Sequence, residues 1–438
     1  MLPITRGRLC SFLALTLVFL AQCSRSAEPT PVASEPITLT MVSFNNNGAL
    51  AAAEEYAIDQ FQSQQPNVEF NRLRFNQSPR QLLNLSPAPD LMTMGAYYFL
   101  SQAAQENQLL DLTEIWAETG MGDAFPPGLQ QVSAYEGKQY YLPTSYAWSA
   151  IYYNRALFDQ YGLQPPRTWD EFLLLCETLI TYGERPLSLG GQDAWLAMLW
   201  FDYLDLRMNG ARFHRELLQG QIDYTDSRVR AVLETWSMLF AKSYFVARPE
   251  GVDDLSSLTA LVRDDNGMLG GEKAAMTLVN PFWMGSLPDK FLAEFDFFPF
   301  PTMDPSIPPA EVLTTLGYMA PRAGENPPAT LAFLTYLGSA EAQSAVAQHM
   351  GTTALWAPAR NDIDEELLSP AVKQGRQLVA GATDVVAPYM LSMSDQLWPK
   401  VTQGLRRFLR APDQIDDFSA TLEEVRLEAL DKGLLQSP

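Results

Sequence analysis

The sequence predicts an α/β protein with more than one core, on two observations. Strand-like and helix-like segments alternate from the start of the globular part, and the chain is too long for a single core. Residues 37–42 set Ile, Leu and Met against Thr at a period of two, which suits a strand. A helical pattern then runs to Phe61 and stops near Pro66. Residues 68–75 read as a second strand, and 90–94 as a short apolar run leading into a helix from about Tyr98 to Gln105. Such alternation argues for a largely parallel sheet covered by helices. In sheets of that kind ligands sit beyond the carboxyl ends of strands, where loops open into helix N-termini. With 438 residues the chain exceeds the roughly 250–300 at which one core stops growing, so two or more domains are expected.

The first residues read as an export signal. Arg6 and Arg8 precede an apolar run over 9–21; a membrane-spanning helix needs roughly 20 such residues, and this run is shorter. Residues 1–22 are therefore expected to be a signal peptide. Leu20-Ala21-Gln22-Cys23 resembles a lipobox, which would make Cys23 the lipidated N-terminus; cleavage near Ala27 is the competing expectation. Residues 23–36, rich in Ser, Ala, Pro and Glu without apolar periodicity, read as a flexible tether.

Composition removes several function classes. The formal net charge of −21 makes nucleic acid a poor partner and leaves a cationic ligand open. Cys10 and Cys23 fall in or at the end of the signal, so only Cys176 remains in the body, and neither an intramolecular disulfide nor a cysteine metal site is expected. Cys176 shares a helical face with Trp169, Phe172, Leu173, Leu179 and Ile180 and reads as a small buried hydrophobe. His214 and His349 are the two histidines, and both lie outside motif spacing, so no metal site, cofactor or histidine triad is expected. Residues 267–273 (GMLGGEK) lack the Lys-Ser/Thr of a phosphate loop. Glu54-Glu55 and Asp364-Glu365-Glu366 read as exposed charge runs on helices.

The most specific stretch is 135–172. It holds a Glu136-Gly137 turn, Tyr152-Tyr153-Asn154-Arg155, a helix pattern, and Thr168-Trp169-Asp170-Glu171-Phe172 opening a further helix. Downstream come Glu272-Lys273-Ala274-Ala275-Met276-Thr277, then Asn280-Pro281-Phe282-Trp283, and Phe297-Phe298-Pro299-Phe300-Pro301. In this order the chain, from 37 to about 426, resembles the extracellular solute-binding proteins of the maltose-binding type, the capture subunits of ABC importers. The resemblance implies a two-lobe periplasmic-binding-protein type II fold with a ligand cleft between the lobes. It implies lobe 1 from 36–144 and 301–335, and lobe 2 from 145–300 and 336–438. It also implies an exported, membrane-anchored monomer that hands a sugar to permease subunits.

A sugar offers hydroxyls and faces of C–H, so its site needs flat aromatics and converging polar groups. Aromatics at predicted strand ends are Tyr97, Tyr98, Tyr146, Trp148, Trp195, Phe282, Trp283, Trp356 and Trp398; the polar candidates include Asn45, Asn46, Asp193 and Arg360. Asn45 and Asn46 could equally cap the following helix. The resemblance places Asp193 and Trp195 at a carboxylate and aromatic pair of the family, and Trp398 at a ligand-stacking position. Ala147 stands where a maltose-type protein carries a carboxylate. The expected function is capture of a neutral mono- or oligosaccharide for an ABC permease, without catalysis. A binding protein for a cationic ligand such as a polyamine, a secreted glycoside hydrolase and a chemoreceptor module are the alternatives.

Overall fold

Among the described residues the chain builds two main β-sheets, beside a small two-stranded one, and it crosses between the two main sheets three times. The structure is a computed structural model that describes residues 35–43, 48–74, 77–95, 99–263, 271–284, 287–350 and 355–435. The signal, Cys23 and most of the tether lie outside the described residues. Residues 36–438 form one compact unit.

The first sheet begins with β1 (Ile37–Ser43), followed by helix α1 (Gly48–Gln64), β2 (Val68–Arg74) and β3 (Leu91–Met94). β1 pairs in parallel with both β2 and β3. The alternation in β1 is exposed at its start and gives way to burial on both faces from Met41 to Ser43, where β2 and β3 flank it. β4 (Leu142–Trp148) joins later, and one residue beyond it the chain enters the second sheet as β5 (Ala150–Asn154). That sheet is completed by β6 (Leu187–Ser188), β7 (Met276–Val279) and β8 (Phe295–Phe298), in the order β8-β5-β7-β6. The chain then returns as β9 (Ala310–Met319), a strand buried along nearly its whole length and lodged between β3 and β4. Its Gly317 is required: a Cβ there would run into the backbone of Leu142 and Pro143, where the register with β4 shifts.

The helices of the second half form as expected. Helix α2 (Trp169–Thr181) opens with a capping box: the Thr168 hydroxyl accepts from Glu171 N–H at 3.3 Å, and the Glu171 carboxylate accepts from Thr168 N–H at 3.1 Å. Asn154 caps the next helix upstream, accepting from Leu157 N–H at 2.9 Å. These residues, which carry much of the family resemblance, are thus framework. Cys176 is buried, and its thiol is pushed well up by that burial. Ile180, expected on the same inward face, is exposed. Helices α3 (Trp195–Leu218) and α4 (Ser227–Ala241) follow; α3 is broken at Gly210, whose φ of 83° is not helical.

One expectation about lobes needs correction. Residues 336–438 are expected in lobe 2, yet 340–386 stay with the first sheet. After α5 (Pro327–Gly338), helix α6 (Ala340–Met350) packs on α1, and β10 (Ala357–Pro358) and β11 (Asp384–Val386) join the first sheet. The chain leaves that sheet only after Val386, reaching α8 (Trp398–Arg410) and α9 (Ile415–Asp431), which packs against α4.

Between β10 and β11 lies α7 (Pro370–Gly381). It meets β4 where Gly375 faces Trp148, and a Cβ at Gly375 would overlap the indole. Gly375→Ala is expected to destabilise the protein by about 1–3 kcal/mol, the usual cost of overpacking. The check is the urea unfolding midpoint; an unchanged midpoint would mean that Trp148 gives way.

Candidate ligand site

Two helices begin at one place. Trp195 is the first residue of α3 and Trp398 the first of α8, and their rings meet edge to face, with centroids 5.1 Å apart and planes at 76°. Both are half-buried. Neither helix has a side-chain cap; the opening turn of α3 presents backbone N–H groups beside the indole corner, whereas in α8 Pro399 has none and Lys400 N–H donates to Leu397 O at 3.1 Å. The Nε1–H of Trp398 is buried and has no hydrogen-bond partner among the described residues. Ala194, just before Trp195, is held at φ 69°, a left-handed conformation that an alanine seldom adopts and that strained functional sites often contain.

The approach to Trp195 is the loop 190–193. Gly191 N–H donates to the carbonyls of Pro249 and Val252, and Gln192 N–H to that of Val252, at 3.0–3.1 Å. This pins the loop and leaves the side chains of Gln192 and Asp193 exposed beside the aromatic corner. Gly190 packs directly on Asp254, where a Cβ would come within 2.6 Å of Oδ1. Asp254 itself is buried, and among the described residues neither carboxylate oxygen has a hydrogen-bond partner. Burial, then the charges of Asp193 and Asp253, push it up to about 7. Sequence reading missed Asp254, because nothing in Asp253-Asp254-Leu255 distinguishes it from an ordinary helix start.

Asn280 is a polar side chain that joins the two sheets. It stands at the end of β7, and its Nδ2 donates to Thr314 Oγ1 on β9 at 3.0 Å.

The other expected contacts divide. Asn45, Asn46, Tyr97 and Tyr98 lie outside the described residues. Phe282 and Trp283 fall in the short helix Pro281–Met284, and their side chains also lie outside the described ones. Tyr146 and Trp148 must be corrected. Both are buried on the face of β4 that packs under α7, with Trp148 against Phe297 at 5.4 Å between ring centroids. Burial pushes the Tyr146 phenol up to about 12, against the lowering effect of Arg376. Alternation along β4 turns Ala147 to the opposite face, into a small apolar cluster with Ala53, Leu316, Met350 and Trp356. Trp356 is buried in that cluster.

Arg360 is also a correction. Its Nε and Nη2 hold Asp362 at 2.8 and 2.7 Å, and its Nη1 donates to the carbonyls of Thr119 and Gly338, both at 2.8 Å. Its donors are committed to the scaffold. Glu54, expected to be exposed, is buried and accepts from Arg72 at 2.9 Å and Ser43 at 3.0 Å. His349 stacks on Tyr56, and His214 is buried between Asp202 and Asp205. Among the described residues no group of three His, Cys, Asp or Glu could hold a metal ion.

Residues 45–344 match the family model of the bacterial extracellular solute-binding proteins. The chain belongs to that family. This solute-binding protein is 25% identical over 342 residues to an uncharacterized ABC transporter extracellular-binding protein of Pyrococcus horikoshii, covering 74% of this chain and 73% of the relative. It is 33% identical over 129 residues to a probable sugar-binding periplasmic protein of Mesorhizobium japonicum, across 29% of this chain and 30% of that one. Among solved structures it is similar in fold to the bacterial solute receptor AcbH, described as preferring β-D-galactopyranose. The TM-score is 0.77 at 22% identity, over 90% of this chain and 98% of the other. The family match ends before Trp398, so the indole corner takes one ring from inside the matched region and one from beyond it.

Asp254 yields a prediction with a definite sign. An acid raised to about 7 when folded, against 3.8 ordinarily, binds its proton more tightly in the folded state. Its contribution to stability is then full below about pH 4 and declines as pH rises through 7. Asp254→Asn is expected to stabilise the receptor by about 1 kcal/mol or more at pH 8 and to change little at pH 4. Unfolding midpoints at the two pH values provide the check.

Proposed function

We propose that this receptor is the exported substrate-binding component of an ABC importer, capturing a neutral mono- or oligosaccharide between its two lobes for a membrane permease. The observation that carries this is the indole corner of Trp195 and Trp398 set at two uncapped helix starts, with Gln192 and Asp193 alongside. Indole faces suit the C–H side of a pyranose, and backbone N–H groups suit its oxygens. The sugar-binding names of its relatives point the same way. Ligand that touches both lobes binds the closed arrangement better than the open one and so shifts the population toward it. The receptor breaks no bond in the sugar, works as a monomer, and is tethered through lipid on Cys23.

A cationic ligand is the second reading, favoured by Asp193 lying near Asp254. Asp254 is buried and holds its proton to about 7, so it adds little charge to attract a cation. The neutral sugar remains the better fit.

Native mass spectrometry of gently purified protein, followed by tryptophan fluorescence titrated against a sugar panel, tests this function. A hexose-series ligand is expected; a co-purifying polyamine, or turnover of nitrophenyl glycosides, would overturn it. With the sugar in hand, Trp195→Ala and Trp398→Ala should each weaken binding by at least about 1 kcal/mol, a typical loss at an aromatic anchor. Arg360→Met should lower stability and leave the dissociation constant within about twofold, since an ion pair inside the scaffold acts on folding. Unchanged affinity in both tryptophan variants would remove the corner from the site.

A further inference from the structure

The helix that begins at Trp195 also touches every place where the chain passes between sheets. Ser149 is the whole of the first crossing, between β4 and β5. Its N–H donates to Val312 O at 3.0 Å, and its carbonyl lies 2.5 Å from the Tyr203 hydroxyl. The second crossing joins β8 to β9. Arg207 Nε donates to Phe300 O at 3.3 Å, Nη1 to Ala310 O at 2.5 Å, and Nη2 to Glu311 Oε1 at 2.6 Å. Tyr203 links the two, since its hydroxyl is also 2.9 Å from Glu311 Oε2. The third crossing leaves β11, and there Tyr389 N–H donates to Asp202 Oδ2 at 3.1 Å.

Asp202, Tyr203, Arg207 and Glu311 are all buried. Burial outweighs Arg207 and raises the Glu311 carboxyl, so the pair is held in place against its own desolvation. The anchor is braced from behind. His214 comes nine residues after Asp205, about 13.5 Å along a straight helix, yet its Nδ1 is 2.8 Å from Asp205 Oδ2. The non-helical backbone at Gly210 doubles the chain back to make that contact. Arg215, on the returning segment, pairs with Asp384 of β11 at 2.6 Å.

We infer that the first half of α3 is a lever: it carries a ring of the ligand site at its first residue and, through Asp202, Tyr203 and Arg207, grips all three crossings. Tyr203 and Arg207 stand eight and twelve residues beyond Trp195, about 12 and 18 Å along the axis. They touch no ligand. They are positioning residues that set the ratio of open to closed receptor, and through it the affinity. This inference rests on the two-lobe capture reading above.

The test places spin labels on the exposed Glu114→Cys and Leu174→Cys positions, one beside each sheet, in the full receptor; Cys176 is buried and is not labelled. Pulsed-dipolar distance distributions are recorded for wild type, Tyr203→Phe and Glu311→Gln, without sugar and with D-galactose or raffinose. Tyr203→Phe and Glu311→Gln are expected to move the ratio of long to short distances without sugar by about two- to tenfold, the equilibrium effect of one hydrogen bond. If Glu311→Gln fails to fold, Tyr203→Phe decides. A lowered unfolding midpoint with a wild-type distance distribution in Tyr203→Phe would make the network structural only and overturn the lever. Failure of both sugars to change the wild-type distribution or its tryptophan fluorescence would count against the sugar reading, while the ligand-free ratio still tests the lever.

Discussion

A guanidinium and a carboxylate buried together where the two sheets meet constrain the rest of this molecule. Arg207 and Glu311 cannot be left half-paired, because either charge alone in that interior would cost several kcal/mol. The pair therefore fixes the start of β9 against α3, and with it the position of the strand at the centre of the first sheet. Tyr203 extends the tie to Ser149, so two chain crossings share one polar cluster. Buried ion pairs are weak sources of net stability, and this one is better understood as specifying where the parts sit.

That constraint also explains the form of the site. The helix held at the crossings begins at Trp195, and the strained Ala194 turns the chain abruptly into it. α8 arrives from the third crossing and begins at Trp398. Two indoles far apart in the chain thereby meet at two helix starts, with N–H groups and a pinned, glycine-rich loop around them.

Much of the fold was legible because its determinants are local. Strand alternation at 37–42, the Asn154 cap and the Thr168–Glu171 capping box act over a few residues, and the sequence shows them directly. What was hidden depends on partners distant in the chain. Period-two alternation puts Tyr146 and Trp148 on one face, but α7 and Gly375 decide that this face is covered. Arg360 looks like a free cation until Asp362 and the carbonyls of Thr119 and Gly338 surround it. The two-residue β10 and three-residue β11 carry too little pattern to announce that 340–386 stays with the first sheet. The family resemblance points to Trp195 and Trp398 separately, whereas their contact belongs to the tertiary structure.

A crystal structure of the receptor with the sugar that co-purifies with it would test the account most directly. The account predicts a pyranose ring packed against the indoles of Trp195 and Trp398, between the two sheets and within reach of Asn280. A ligand bound elsewhere, with those two rings in contact only with each other, would contradict it.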